Sequence, residues 1–149
     1  MLIYPCSYFD LSHKKLLSSY KKYYLGDISF YFLGKQNLSL DYNTKRFNLA
    51  LKNLIYLYAL SNDYIVNIPK TLTFECDFML RNLNLDYSYL QVSTQILGSI
   101  EAEDRQYLPL EKIRDNYPKY VLTTDTLLQK RNGIKHCNIM TFLKEHKLF

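Results

Sequence analysis

Phe74-Glu75-Cys76-Asp77-Phe78 and, a short turn later, Tyr89-Leu90-Gln91-Val92-Ser93 are the two stretches on which the reading of this chain turns. Each is apolar enough for a buried β-strand, and each carries polar side chains aimed at a shared place. Side chains two apart on a strand leave the same face, so Glu75 and Asp77 point together and Cys76 points away. Gln91 and Ser93 share a face of the next strand. Carboxylates and an amide oxygen from neighbouring strands can hold a hard divalent cation, with waters completing its shell. The same spacing also describes two acids on a half-buried strand, and spacing alone favours that simpler account.

Working outward, residues 64–68, 72–80 and 87–96 read as strands, with residues 82–86 as the turn joining the last two. Upstream, residues 2–9 read as a strand, 14–19 as a basic turn or short strand, and 21–25 as a strand ending at Gly26-Asp27. Residues 28–33 are apolar and ambiguous. Asn43 or Thr44 can cap a helix running to about residue 60. On it, Phe47, Ala50, Leu51, Leu54, Ile55 and Tyr58 recur at helical spacing. Downstream, residues 99–114 read as a helix whose first turns hold Glu101, Glu103 and Asp104, where the helix dipole favours acids. Asn116-Tyr117-Pro118 ends it. A strand over 119–124, a turn at Asn132-Gly133, a strand over 134–137 and a helix over 139–148 complete the chain. Strands alternating with helices predict an α/β layer structure with part of the sheet parallel.

The chain has 149 residues, enough for one domain with one good core, and 48% of it is hydrophobic. Three cysteines, Cys6, Cys76 and Cys137, have no CxxC spacing, which points to buried reduced thiols rather than a zinc site or disulfide framework. His13, His136 and His146 form no HxxxH or HExxH pair. Residues 1–9 do not read as a secretory signal, and the apolar run over 49–60 is broken by Lys52 and Asn53, too short for a bilayer span of about 20 residues. The expectation is a cytoplasmic protein with no membrane contact. The net charge of +5 is compatible with weak affinity for nucleic acid, DNA included, or for another anionic partner, though an ordinary basic surface is the simpler account. Tyr–Lys interleaving at residues 20–24 and at Lys119-Tyr120 can stack on and neutralise nucleic acid, but it reads first as a Tyr-rich strand with snorkelling lysines. Gly34-Lys35 is followed by Gln36, so no phosphate-binding loop is present in the sequence. Ser93, His136 and Asp77 can be named as a nucleophilic set, but no G-x-S-x-G elbow surrounds a serine.

Five pieces, in order, carry a resemblance. They are Lys22-Tyr23-Tyr24-Leu25-Gly26-Asp27, Leu51-Lys52-Asn53-Leu54-Ile55-Tyr56, Glu75-Cys76-Asp77-Phe78, Leu90-Gln91-Val92-Ser93, and Ile113-Arg114-Asp115-Asn116-Tyr117-Pro118-Lys119-Tyr120-Val121-Leu122 followed by Gly133-Ile134-Lys135-His136. Together they resemble the C-terminal nuclease-like domain of predicted prokaryotic AAA-type ATPases, a domain of unknown function. The resemblance implies a restriction-endonuclease-like, PD-(D/E)XK core: a mixed central sheet flanked by helices. It further implies that residues 1–26 are the exit strands and linker of a preceding winged helix, and that residues 27–149 are the nuclease-like domain.

The departures from that pattern matter as much. The family's helical acids fall at Lys52 and Tyr58, and the lysine that a working nuclease carries on its strand falls at Ser93. Asp77 and Gln91 stand, with Glu75 beside them. The resemblance therefore implies a vestigial site, Lys52, Glu75, Asp77, Gln91 and Ser93, in a catalytically silent domain without a cofactor. Such a domain would bind a partner protein, an ATPase half or DNA. The alternatives are a weak nuclease holding Mg²⁺ or Mn²⁺ on Glu75, Asp77 and Gln91, and an inactive remnant of a truncated gene. Lys52 either places its ammonium where the cation would sit, paired with Asp77 or Glu75, or snorkels to solvent.

Overall fold

A computed structural model of the chain describes residues 2–33 and 45–149. Among these residues eight strands form one mixed sheet: β1 (Ile3–Asp10), β2 (Lys15–Leu25), β3 (Ile65–Lys70), β4 (Phe78–Arg81), β5 (Tyr87–Val92), β6 (Lys119–Thr123), β7 (Lys130–Arg131) and β8 (Ile134–Asn138). Their spatial order is β2-β1-β3-β4-β5-β6-β8-β7. The β1–β3, β5–β6 and β6–β8 pairs are parallel, and the other pairs antiparallel. Three α-helices, α1 (Lys45–Ser61), α2 (Ile100–Glu111) and α3 (Ile139–Lys144), accompany the sheet. The chain is thus α/β with a mixed sheet, as its alternating pattern predicts.

The period-2 alternation of the central strands builds two cores. Phe78 and Leu80 of β4, Leu90 and Val92 of β5, and Tyr120 and Leu122 of β6 face the cluster that holds Leu51, Ile55, Tyr56 and Ala59 of α1 and Ile139 and Phe142 of α3. Met79, Tyr89 and Val121 face the other way, onto Tyr107 and Leu110 of α2. Helices therefore cover both faces, which is why β5 is buried almost throughout. Ser99 caps α2 by accepting from the Ala102 N–H at 3.3 Å. The Asn43 and Thr44 caps proposed for α1, and the Gly34-Lys35 pair, lie outside the described residues.

Several elements differ from the sequence reading. Residues 15–25 form one strand, β2, with a bulge in it, and Lys14 belongs to the turn before it: the register steps from Ser7↔Lys21 to Tyr8↔Leu17. Residues 28–32 form a 3-10 turn whose cap, Asp27, accepts from the Ser29 N–H at 2.8 Å. On both sides of the 26/27 position the chain feeds one core: Cys6 and Tyr24 lie in the same cluster as Leu51 and Ile55, and the Tyr24 ring stacks on Tyr56 at 4.2 Å.

The strand expected over 72–80 is the main correction. Only Phe78–Arg81 is regular strand, and residues 74–77 touch the sheet through a single bridge, Lys70↔Glu75. A regular strand would send Asp77 and Phe78 to opposite faces. Here the Asp77 carboxylate meets α1, and Phe78 is buried in the α1-side core.

Candidate functional site: a carboxylate corner closed by lysines

The site lies where β4 and β5 meet α1. Asp77 sits one residue before β4, and its carboxylate acts as a substitute for missing backbone. The Asp77 Oδ2 accepts from the Val92 N–H at 2.8 Å, and the Asp77 N–H donates to the Gln91 Oε1 at 2.9 Å. Two side-chain oxygens thus continue the β4–β5 ladder past the point where the β4 backbone leaves it. A buried N–H without a partner costs about 1–3 kcal/mol, so these bonds hold the end of β5 in place.

The other Asp77 oxygen, Oδ1, accepts from the Lys52 ammonium of α1. Both side chains are mostly buried, 26% exposed for Lys52 and 12% for Asp77. The snorkelling alternative for Lys52 is therefore not what the chain adopts. Glu75 turns instead to the Lys22 ammonium of β2. Burial works against the Lys22 charge, but the hydrogen bond and the charge of Glu75 outweigh it and raise its pKa above the ordinary lysine range. Of the candidate residues, the fold brings Lys52, Asp77 and Gln91 together and sends Glu75 to a neighbouring pair. Ser93 lies just past β5, and its N–H donates to the Leu122 carbonyl at 3.0 Å. The Tyr58 hydroxyl donates to the Lys147 carbonyl at 2.9 Å, beside the Phe142 and Phe149 rings.

Asn53, next to Lys52, is fully buried and was missed as a candidate. Its Oδ1 accepts from the Leu25 N–H and its Nδ2 donates to the Leu25 carbonyl, both at 2.7 Å. The Tyr31 hydroxyl donates to the same Oδ1 at 3.2 Å. The side-chain amide thereby imitates a β-ladder partner and ties α1 to the end of β2. The available signal was a polar pair, Lys52-Asn53, interrupting the apolar stretch of a helix.

The Asp115-Asn116-Tyr117-Pro118-Lys119-Tyr120 segment works as a latch. The Asp115 Oδ2 accepts from the Tyr89 hydroxyl at 2.8 Å, and Oδ1 accepts from the Tyr117 N–H and the Lys119 ammonium, each at 3.1 Å. These bonds set the start of β6 beside β5. Burial, with Asp115 adding to it, pushes the Tyr89 hydroxyl far above the ordinary tyrosine range.

A second polar cluster occupies the β6–β8 end. The His136 Nδ1 accepts from the Gln129 N–H at 3.1 Å, so its proton sits on Nε2 and is donated to the Thr123 Oγ1 at 2.8 Å. The ring has no contact with Ser93 or Asp77, and the nucleophilic set considered from sequence does not assemble. Burial holds the His136 pKa below its ordinary 6.5, although Asp125 and Glu103 pull the other way. A proton added at Nδ1 would also face the Gln129 N–H, donor against donor. The unfolded chain therefore binds this proton first as pH falls, so the neutral ring stabilises the fold fully above about 6.5 and less below it. The urea midpoint of the wild type is expected to drop between pH 7 and 5 by more than that of His136→Gln. Equal slopes in the two proteins would refute this account.

Arg131 lies among Glu103, Asp104 and Glu111, with its guanidinium 5.1 Å from the Tyr107 ring centroid. Its bond to Glu111 holds that carboxyl below the usual range. The cluster joins α2 to β7. Among the described residues no group of three or more His, Cys, Asp or Glu is placed to hold a metal ion, and no helix is long and apolar enough to cross a membrane.

Comparison with protein-family models, with curated proteins and with solved structures finds no match for the chain.

Proposed function

We propose that the chain is a catalytically silent, restriction-endonuclease-like domain, akin to the C-terminal domain of AAA-type ATPases, whose work is binding: to a partner protein, to an ATPase half or to DNA. The observation that carries the reading is the Lys52 ammonium seated on the Asp77 carboxylate. A divalent cation needs anionic oxygens with free lone pairs to offset its dehydration. Here Asp77 is engaged by Lys52 and by the Val92 N–H, Gln91 by the Asp77 N–H, and Glu75 by Lys22. A cation entering this corner would have to displace an ammonium from each carboxylate. Position 93 is serine, so no strand lysine stands beside the corner to stabilise charge developing on a phosphate. The mixed sheet with helices on both faces supports the fold assignment. The hydrogen bonds that tie Asp77 to Lys52, Val92 and Gln91 support a retained scaffold rather than a decaying remnant.

Incubation of supercoiled and linear DNA with Mn²⁺ tests the reading, with Asp77→Ala as the control. No nicking above the control is expected. Mn²⁺-dependent cleavage that Asp77→Ala abolishes would overturn it in favour of a weak nuclease using Glu75, Asp77 and Gln91.

A further inference from the structure

We propose that the face of β1 and β2 next to this corner binds single-stranded nucleic acid, with a backbone phosphate on Lys22 and Lys70 and a base stacked on Tyr20. The inference rests on the binding reading above and names its partner class.

Residues 2–26 carry Lys14, Lys15, Lys21 and Lys22 against one carboxylate, Asp10. Asp10 is already engaged by the N–H groups of Ser12 and His13 and by the His13 ring. The end of the sheet is therefore a basic patch; α2, with its four carboxylates, packs on the other face of the sheet, where its Glu101 and Asp104 line a cavity together with Glu75.

Within the patch two ammonium groups crowd one ring. Lys22 Nζ is 5.5 Å from the Tyr8 ring centroid, and Lys70 Nζ is 5.2 Å from it. Lys70 Nζ is also 5.5 Å from the Tyr20 ring centroid. Glu75 pairs with Lys22, and among the described residues no carboxylate pairs with Lys70. Two ammonium groups within 5.5 Å of one ring centroid, of which one has a carboxylate partner, leave a positive surplus that an anion would relieve. A phosphate oxygen supplies that anion, and the Tyr–Lys geometry leaves a ring for the attached base.

Tyr20 is that ring. It lies in the β2 bulge, where residues 18–20 have no partner on β1, and it is 63% exposed. β2 is an edge strand, so an extended chain reaches Tyr20 without displacing anything described. Exposed aromatic rings beside lysines are the general platform for single strands, because every base has a π-face. A duplex keeps its base faces stacked inside and would use only the lysines.

The test is fluorescence anisotropy with a labelled mixed-sequence single-stranded DNA oligonucleotide over a salt series. Lys22→Gln and Lys70→Gln should each weaken binding and each reduce the slope of log K on log salt by about 0.7. Tyr20→Ala should weaken binding by about 5- to 150-fold, with Tyr20→Phe restoring it, since stacking needs the ring and not the hydroxyl. Lys144→Gln on α3 should leave affinity unchanged. Melting curves of each variant check that the fold is kept. Tighter binding of the matching duplex, equal displacement by polyglutamate, or an effect of Lys144→Gln as large as that of Lys70→Gln would each overturn the proposal. Binding that ignores all three patch substitutions would overturn the site and leave the binding reading standing. No binding of either DNA form at low salt would overturn the inference and confine the broader reading to protein partners.

Discussion

Replacing Asn53 by alanine is expected to destabilise the fold by about 3 kcal/mol. The substitution removes no charge and little volume, and alanine is the better helix former by roughly 0.6 kcal/mol. Against that gain, the Leu25 N–H and carbonyl both lose their partner, as does the Tyr31 hydroxyl. Each buried backbone group left without a partner costs about 1–3 kcal/mol. Urea denaturation measures the effect, and a loss under about 1 kcal/mol would mean that water takes over the Asn53 bonds. Asn53→Asp is the informative companion: it keeps an acceptor for the Leu25 N–H and loses the donor to its carbonyl.

Lys52→Glu should reverse the character of the carboxylate corner. The substitution removes the ammonium from Asp77 and puts a second carboxylate beside it, in a place where the Asp77 side chain is only 12% exposed. Two carboxylates at contact distance in such surroundings resist joint ionisation. A metal-free loss of about 2–4 kcal/mol is expected, at the scale of breaking a buried ion pair. Mn²⁺ should then restore stability in a dose-dependent way, by about 1.4 kcal/mol when it is present at tenfold its dissociation constant. Calorimetry should detect the same weak site. Lys52→Gln controls for loss of the lysine alone. If Mn²⁺ raises the melting temperature of both variants equally, the corner is not a metal site closed by lysine.

These two neighbouring residues show how far a linear reading reaches. Lys52 stands out in the sequence as a charge within the apolar run of a helix, and Asp77 and Glu75 are the partners the sequence offers it. Asn53 does not stand out in the sequence, because a buried amide in a helix has no signature beyond being polar among apolar neighbours. Its partner, Leu25, is 28 residues away and offers only backbone, which carries no side-chain signal at all. The same limit explains Glu75 and Asp77. Period-2 alternation sends both to one face, and both do reach lysines. Alternation could not show that the chain bends at Asp77 and that the carboxylate takes over a backbone's place in the ladder. Nor could it show that the Gln91 amide oxygen accepts from the Asp77 backbone.

The sequence by itself determined the alternation of strands and helices, the buried character of β5, the turn at Asn132-Gly133 and the α/β class with part of its sheet parallel. These follow from local periodicity and turn chemistry, which act over a few residues. Tertiary structure alone decided that β1 and β2 complete the sheet and share its core, that α1 and α3 cover one face and α2 the other, and that each carboxylate of the opening motif meets a lysine. The physical reason is range. An ion pair such as Lys22–Glu75 spans 53 positions of chain, and nothing local in either segment records which cation the fold will bring to which acid.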